Sequence, residues 1–338
     1  MTTTTNAPTA APTTAPAAST TATLITTGGD VADETRAFTA RFAEIEAGEP
    51  KMYEIGAPEV RARQRRGAGA YVAPTLLPQG VDRVVPGRSG RDIPVRVFTP
   101  PQVDGVVLHI HGGGWTVGSE DGQDLRLWEL AEAANLAVVS VGYRLAPEHP
   151  FPAGANDCED VARWLIFEAD AEFGTDRLVI TGESAGAHLA VLTLLRLGGK
   201  ARAFRAAQLT YGAYDLSMTP SQRQAAGKLF IPTDILAWCY DNLLPGLSPE
   251  ERRAPGISPL YADLRNLPPA RFVVGTEDPF LDDNLFMAAR WRAAGNEAEL
   301  EVVAEAMHGF VLFPGTASDR ERARRAEFLA RALNDLRQ

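Results

Sequence analysis

The chain has 338 residues, 45% of them hydrophobic and 22% charged, with a formal net charge of −10. That length can bury a large core and fits one α/β domain with a smaller addition. The acidic balance, with no large basic patch, argues against nucleic acid as a partner, and no apolar run reaches bilayer-spanning length.

Residues 1–29 are mostly Thr, Ala and Pro and have almost nothing to bury, so they read as a disordered tail. They lack the basic and apolar regions of a signal peptide. From Glu34 the pattern turns helical, with Phe38, Phe42 and Ile45 at helical spacing. Pro58 opens a second amphipathic segment whose arginine run, Arg61 to Arg66, reads as a solvated helix face. Residues 81–99 alternate apolar and polar around Gly87 and Gly90 and predict a hairpin, with Val81, Val84, Ile93, Val95 and Val97 in its strands.

From residue 105 strands and helices alternate, the pattern of a mostly parallel sheet. The expected elements are strand 105–110, helix 123–134, strand 136–142, a Pro-rich loop from Tyr143 to Ala153, helix 156–169 and strand 177–181. After strand 206–211 the alternation breaks. Residues 213–262 hold Pro220, Pro232, Pro245, Pro249, Pro255 and Pro259 around one expected helix, 233–243. An insertion of that length in a compact domain points to function. The alternation resumes with strand 271–275, helix 283–294, strand 299–303 and a final helix marked by Ala326, Leu329, Leu333 and Leu336.

The chemistry centres on Thr181-Gly182-Glu183-Ser184-Ala185-Gly186, set between an apolar strand and an apolar helix. Strand, Gly-x-Ser-x-Gly, helix is the nucleophile elbow. The bend lifts Ser184 Oγ clear of the sheet edge and sets a helix N-terminus, with its free N–H groups, beside it. Upstream, an apolar strand runs into His111-Gly112-Gly113-Gly114-Trp115. Glycine backbone can approach a substrate closely and offer N–H groups to an oxyanion. Downstream stand Asp278-Pro279 and His308-Gly309-Phe310, each after a strand, giving the chain order Ser…Asp…His of the α/β hydrolases.

These motifs, with Tyr143-Arg144-Leu145-Ala146-Pro147-Glu148, resemble those of the hormone-sensitive-lipase-like esterases, the bacterial family IV serine carboxylesterases. The resemblance runs from about residue 36 onward. It implies an α/β-hydrolase fold, no metal or cofactor, and hydrolysis of short acyl esters. It also implies a helical cap, for which 30–75 and the insertion at about 213–262 are the expected parts, over a catalytic domain spanning 76–338. The family's usual elbow is Gly-Asp-Ser-Ala-Gly or Gly-Thr-Ser-Ala-Gly, and Glu183 departs from both. Gly-Glu-Ser-Ala-Gly is more familiar from type-B carboxylesterases, whose chains are far longer.

In this scheme Ser184 attacks, His308 moves the proton and Asp278 orients the imidazole. Glu277, Asp282 and Asp283 are the competing acids. Asp278 is preferred because it stands in the loop leaving its strand, ahead of Pro279. Asp282 and Asp283 open the next helix, where the dipole alone accounts for carboxylates. The expected oxyanion donors are Gly113 and Gly114, implied by the resemblance, and Ala185, from the elbow. Trp115 either lines the pocket or packs beneath the loop. His111 is expected to brace the glycine loop, His109 and His188 to pack, and His149 to be structural; no histidine pair has ligand spacing for a metal. Cys158 and Cys239 are isolated, without metal spacing, and suggest a reducing cytoplasm, with a disulfide between them left open. An amidase or deacetylase on the same residues is the rival enzyme. A non-catalytic small-molecule receptor is disfavoured by the presence of His308. The expected partner is a small acyl ester, and a homodimer is left open.

Overall fold

The computed structural model describes residues 29–69 and 72–334. The expected tail therefore lies outside the described residues except for Gly29, which opens the first helix. In chain order the elements are α1 (Gly29–Glu46), α2 (Met52–Arg66), β1 (Gly80–Pro86), β2 (Asp92–Phe98), β3 (Gly105–Ile110), α3 (Asp124–Ala134), β4 (Leu136–Val141), α4 (Ala153–Phe173), β5 (Leu178–Glu183), α5 (Ala185–Leu197), β6 (Phe204–Thr210), α6 (Pro220–Arg223), α7 (Thr233–Leu243), β7 (Ala270–Gly275), α8 (Leu281–Ala293), β8 (Ala298–Val303) and α9 (Thr316–Asn334).

The strands form one eight-stranded sheet in the order β1-β2-β4-β3-β5-β6-β7-β8. β1 and β2 are an antiparallel hairpin, β2 meets β4 antiparallel, and every later pairing is parallel. Parallel strands need crossover helices, which cover both faces of the sheet, so the central strands are mostly apolar and buried along their length. Side chains alternate between two cores. Val106, Leu108 and Ile110 of β3 share one cluster with Leu165 of α4 and Leu189 of α5. Val107, between them, packs on the other face with Leu127 of α3 and Leu329 of α9. β5 repeats this, with Leu178 and Ile180 in the first cluster and Val179 in the second. All the parallel strands end at one edge of the sheet, where such folds place their ligands.

Four details differ from the sequence reading. Of the three apolar positions of α1, Phe42 is buried, but Ile45 is 46% exposed and takes no part in the core. α2 breaks at Gly56, whose φ of 76° leaves the helical region, so Pro58 sits near the start of its second half, where its ring is tolerated. The arginine run is not wholly a solvated face. Arg61 donates to the carbonyls of Thr116 and Ala146 and grips Glu148 with both guanidinium arms at 2.9 and 2.8 Å. It thus ties α2 to the glycine loop and the Pro-rich loop. The insertion also holds the short α6 besides α7. Among the described residues no helix is long and apolar enough to cross a membrane.

Candidate active site

The elbow between β5 and α5 is tight enough to exclude side chains at two places. A Cβ on Gly182 would lie 2.4 Å from the carbonyl oxygen of Gly186, and one on Gly186 would lie 2.0 Å from that of Ile110. Ser184 itself is held at φ 56°, ψ −120°, a strained conformation for a residue with a side chain. Its N–H is anchored to the Thr210 carbonyl at 2.9 Å. The strain aims Oγ at His308, whose Nε2 lies 3.0 Å away.

His308 Nδ1 lies 2.9 Å from Asp278 Oδ2. The other oxygen of Asp278 accepts the Phe280 N–H at 2.8 Å, which fixes the carboxylate. Tyr211, Phe230 and Phe280 surround the imidazole, with ring centroids 4.6, 6.2 and 5.2 Å from it. The competing acids face elsewhere. Glu277 pairs with Lys228, Asp282 accepts the Ser221 N–H at 2.8 Å, and Asp283 turns into the protein. Of the four carboxylates, Asp278 is the one in contact with His308.

The glycine loop lies over the elbow. Gly113 and Gly114 have φ of 114° and 57°, and a Cβ on Gly113 would collide with the Val117 carbonyl at 2.2 Å. Among the described residues, the N–H groups of Gly113, Gly114 and Ala185 donate to no protein acceptor. Free N–H groups beside a serine–histidine pair can receive the negative oxygen of a tetrahedral intermediate. Ser184, His308 and Gly113 line a single cavity of about 570 Å³. Its far wall comes from α2 and the insertion, through Met52, Arg61, Phe230, Ile235 and Leu236.

The remaining histidines are structural in their contacts. His188 receives the Trp115 indole N–H at 3.1 Å and its Nε2 meets the Ile257 carbonyl at 2.7 Å. Trp115 therefore both lines the cavity and braces the insertion's far end. His111 stacks on Tyr143 at 4.3 Å, with Nδ1 2.7 Å from the Gly112 carbonyl. His109 bridges Thr181 and Gln123. Burial lowers His109 to about 3 and His111 and His188 to about 4, so all three are neutral at physiological pH. His149 is exposed. Among the described residues no cluster of three His, Cys, Asp or Glu is set to hold a metal. Cys158 and Cys239 are both buried and unpaired with each other.

Two carboxylates carry more than the sequence suggested. Glu183, the variable elbow residue, is 4% exposed. It is held by Arg126 at 3.2 Å, Arg325 at 3.4 Å and Gln123 at 3.2 Å. Burial pushes its carboxyl up, but the field of Arg126, backed by Arg325, more than offsets this and holds it at about 2. Arg126 also donates to the Val311 carbonyl at 3.3 Å, three residues beyond His308. One guanidinium thus joins the nucleophile turn to the histidine loop. Asp283 is fully buried and gathers the start of the insertion. Its two oxygens accept the N–H groups of Tyr214 and Asp215 at 2.6 and 2.9 Å, and the Thr219 hydroxyl and Gln222 amide at 2.7 and 2.8 Å. Burial pushes this carboxyl up to about 7 against the pull of those donors. No local motif announces either role, because every partner is distant in sequence.

Residues 107–312 match the sequence pattern of a family described by its alpha/beta hydrolase fold. The carboxylesterase NlhH of Mycobacterium tuberculosis is 37% identical over 270 residues, covering 76% of this chain and 83% of that protein. An ethyl acetate hydrolase of Pseudomonas putida is 31% identical over 272 residues, covering 77% and 85%. A thermostable carboxylesterase cloned from a metagenomic library superposes with a TM-score of 0.75 at 29% identity, over 84% of this chain and 98% of that one. The chain belongs to the alpha/beta hydrolase family. Within it the chain stands with the hormone-sensitive-lipase-like esterases, as its motifs implied.

Proposed function

We propose that this carboxylic ester hydrolase works through an acyl-enzyme on Ser184 and prefers short acyl chains. His308 removes the hydroxyl proton as Ser184 Oγ attacks the ester carbonyl, then returns it to the leaving alcohol. Asp278 holds the imidazole with Nδ1–H towards itself and stabilises the imidazolium. The carbonyl oxygen becomes negative beneath the N–H groups of Gly113, Gly114 and Ala185. In the second half-reaction a water, deprotonated by His308, attacks the acyl carbon and Ser184 leaves. The helices α1, α2 and α7 act as a cap that shapes the substrate space.

The observation that carries this reading is the unbroken line Ser184 Oγ–His308–Asp278, at 3.0 and 2.9 Å, opening on the cavity that the glycine loop also lines. The preference for short chains is supported by the bulky apolar side chains Phe230, Leu236 and Trp238 in the lining of that cavity. The test is a series of nitrophenyl esters from acetyl to palmitoyl, with the wild type and Ser184→Ala. The wild type should peak at or below about C8. Ser184→Ala should lose a factor on the order of 10⁴ or more in kcat while keeping its fold. A peak at palmitoyl, or normal turnover by a folded Ser184→Ala, would contradict the reading.

A further inference from the structure

Three arginines and three carboxylates line the cavity, and five of the six are engaged in ion pairs. Arg61 is paired with Glu148, Arg65 with Asp121, Asp124 with Arg96 and Arg126 with Glu183. Glu120 also lines the cavity; its carboxylate accepts its own backbone N–H but has no hydrogen bond or ion pair to another residue among the described residues. Glu120 is thus the one cavity-lining carboxylate without a cationic partner among the described residues.

The sheet locates that charge relative to the chemistry. Glu120 Oε2 rests on Gly142, where an added Cβ would come within 2.6 Å of it. Gly142 directly follows β4, and Ser184 directly follows β5. His109 of β3 is level with both Ser140 and Thr181, so Gly142 is level with Glu183. Only β3 separates the two strands, which puts Gly142 about 10 Å from the elbow at roughly 4.8 Å per strand step. With an ester carbonyl about 3 Å from Ser184 Oγ in a reactive pose, the remaining gap suits a group on a short arm of the substrate.

We infer that Glu120 is a specificity residue, selecting esters that carry an ammonium group a few bonds from the ester linkage. Burial raises the Glu120 carboxyl above its ordinary value; its own backbone N–H and Arg65 oppose this, and the neighbouring Asp121 and Asp82 add to it. An arriving cation would relieve that cost, and an N–H donor would supply the missing partner. A neutral alkyl group at the same place would leave the carboxylate half-desolvated and unpaired.

This inference rests on the esterase reading above, and the experiment separates the two. The probes are 2-(dimethylamino)ethyl acetate, protonated at neutral pH, and its uncharged isostere 3-methylbutyl acetate. The readout is the ratio of kcat/KM for the charged ester to that for the neutral one, so any general effect of a substitution divides out. Glu120→Gln and Glu120→Leu should each lower the ratio about fivefold or more, as expected for losing a half-buried ion pair. In the wild type the ratio should also fall as salt is raised, because screening weakens the pair. That second measurement needs no variant. A ratio unchanged by both substitutions, or independent of salt, overturns the role of Glu120. If Ser184→Ala still hydrolysed both esters, the fault would lie with the esterase mechanism.

Discussion

The two walls of the cavity are held by different physics. The wall made by strand ends is set by backbone strain at Ser184 and by buried charge, Glu183 under Arg126 and Arg325. The wall made by α2 and the insertion, with α1 packed behind it, rests largely on rings. Phe38, Phe42, Phe230 and Phe313 form one aromatic cluster, with centroids 5.1 to 6.3 Å apart. The ion pairs at the margin of that wall are exposed, as in Arg36 with Asp33 and Glu305. Buried polar networks have one satisfied geometry, so they hold reacting atoms in register. Aromatic and aliphatic contacts tolerate repacking, which suits a surface that fits a range of substrates. Chemistry and acyl-chain fit are thus assigned to walls of different stiffness.

The largest break in this comparison should come from Asp278. Asp278→Asn keeps the shape but favours the wrong tautomer of His308, and kcat should fall by about 10⁴, the factor given by the equivalent change in a serine protease. Asp282→Asn, one turn away and engaged only with Ser221, should stay near wild type in kcat. Steady-state kinetics of the two amides at neutral pH checks this. A dead Asp282→Asn beside an active Asp278→Asn would reassign the acid.

Glu183→Gln comes next. It leaves Arg126 and Arg325 buried with a neutral partner, and breaking such a pair costs about 3–5 kcal/mol. Denaturant unfolding measures the loss, and kcat should drop with it because Arg126 also holds the Val311 carbonyl. The pH dependence follows from the lowered carboxyl. A group held at about 2 contributes stability that is present above its ordinary value of 4.5 and is lost as pH falls from there towards 2. Glu183→Gln should therefore flatten the acid limb of the stability curve over that window. An acid limb as steep as that of the wild type would show that Glu183 does not control it.

The opposite wall should respond more weakly in turnover and more strongly in selectivity. Phe42→Ala removes the buried ring of α1 and should cost about 3 kcal/mol of local stability. It should broaden acyl-chain preference while leaving kcat for the acetyl ester within a small factor. Arg36→Ala, at a fully exposed pair, should leave the melting temperature unchanged within error. Equal loss of acetyl-ester turnover in Phe42→Ala and Glu183→Gln would erase the distinction between the walls.

The stiff wall was legible in the sequence as far as its backbone is concerned. Mostly apolar runs such as Val106 to Ile110 mark strands covered on both faces, and glycines at 112–114, 182 and 186 mark close backbone approaches. The supporting charges were not legible. Arg126, Arg325 and Asp283 sit on helices where a charged residue usually means a solvated face or a favourable dipole, and their partners lie up to 142 positions away. Arg61 was misread for the same reason. The looser wall showed its helices but not their faces: Ile45 has the spacing of a core residue, yet the helix turns it to solvent. Helical periodicity gives a stripe, and only the packed neighbours decide which edge of the stripe is covered.

The central claim is that one hydroxyl, Ser184 Oγ, is made nucleophilic by its strained turn and by His308. Diethyl nitrophenyl phosphate tests it directly, because it phosphorylates an activated serine and releases nitrophenol. Peptide mapping by mass spectrometry should find one diethylphosphoryl group per chain, on Ser184, in step with loss of esterase activity, and none on His308→Ala. Complete inactivation with the label on another residue, or labelling of Ser184 that proceeds as fast without His308, would contradict the account.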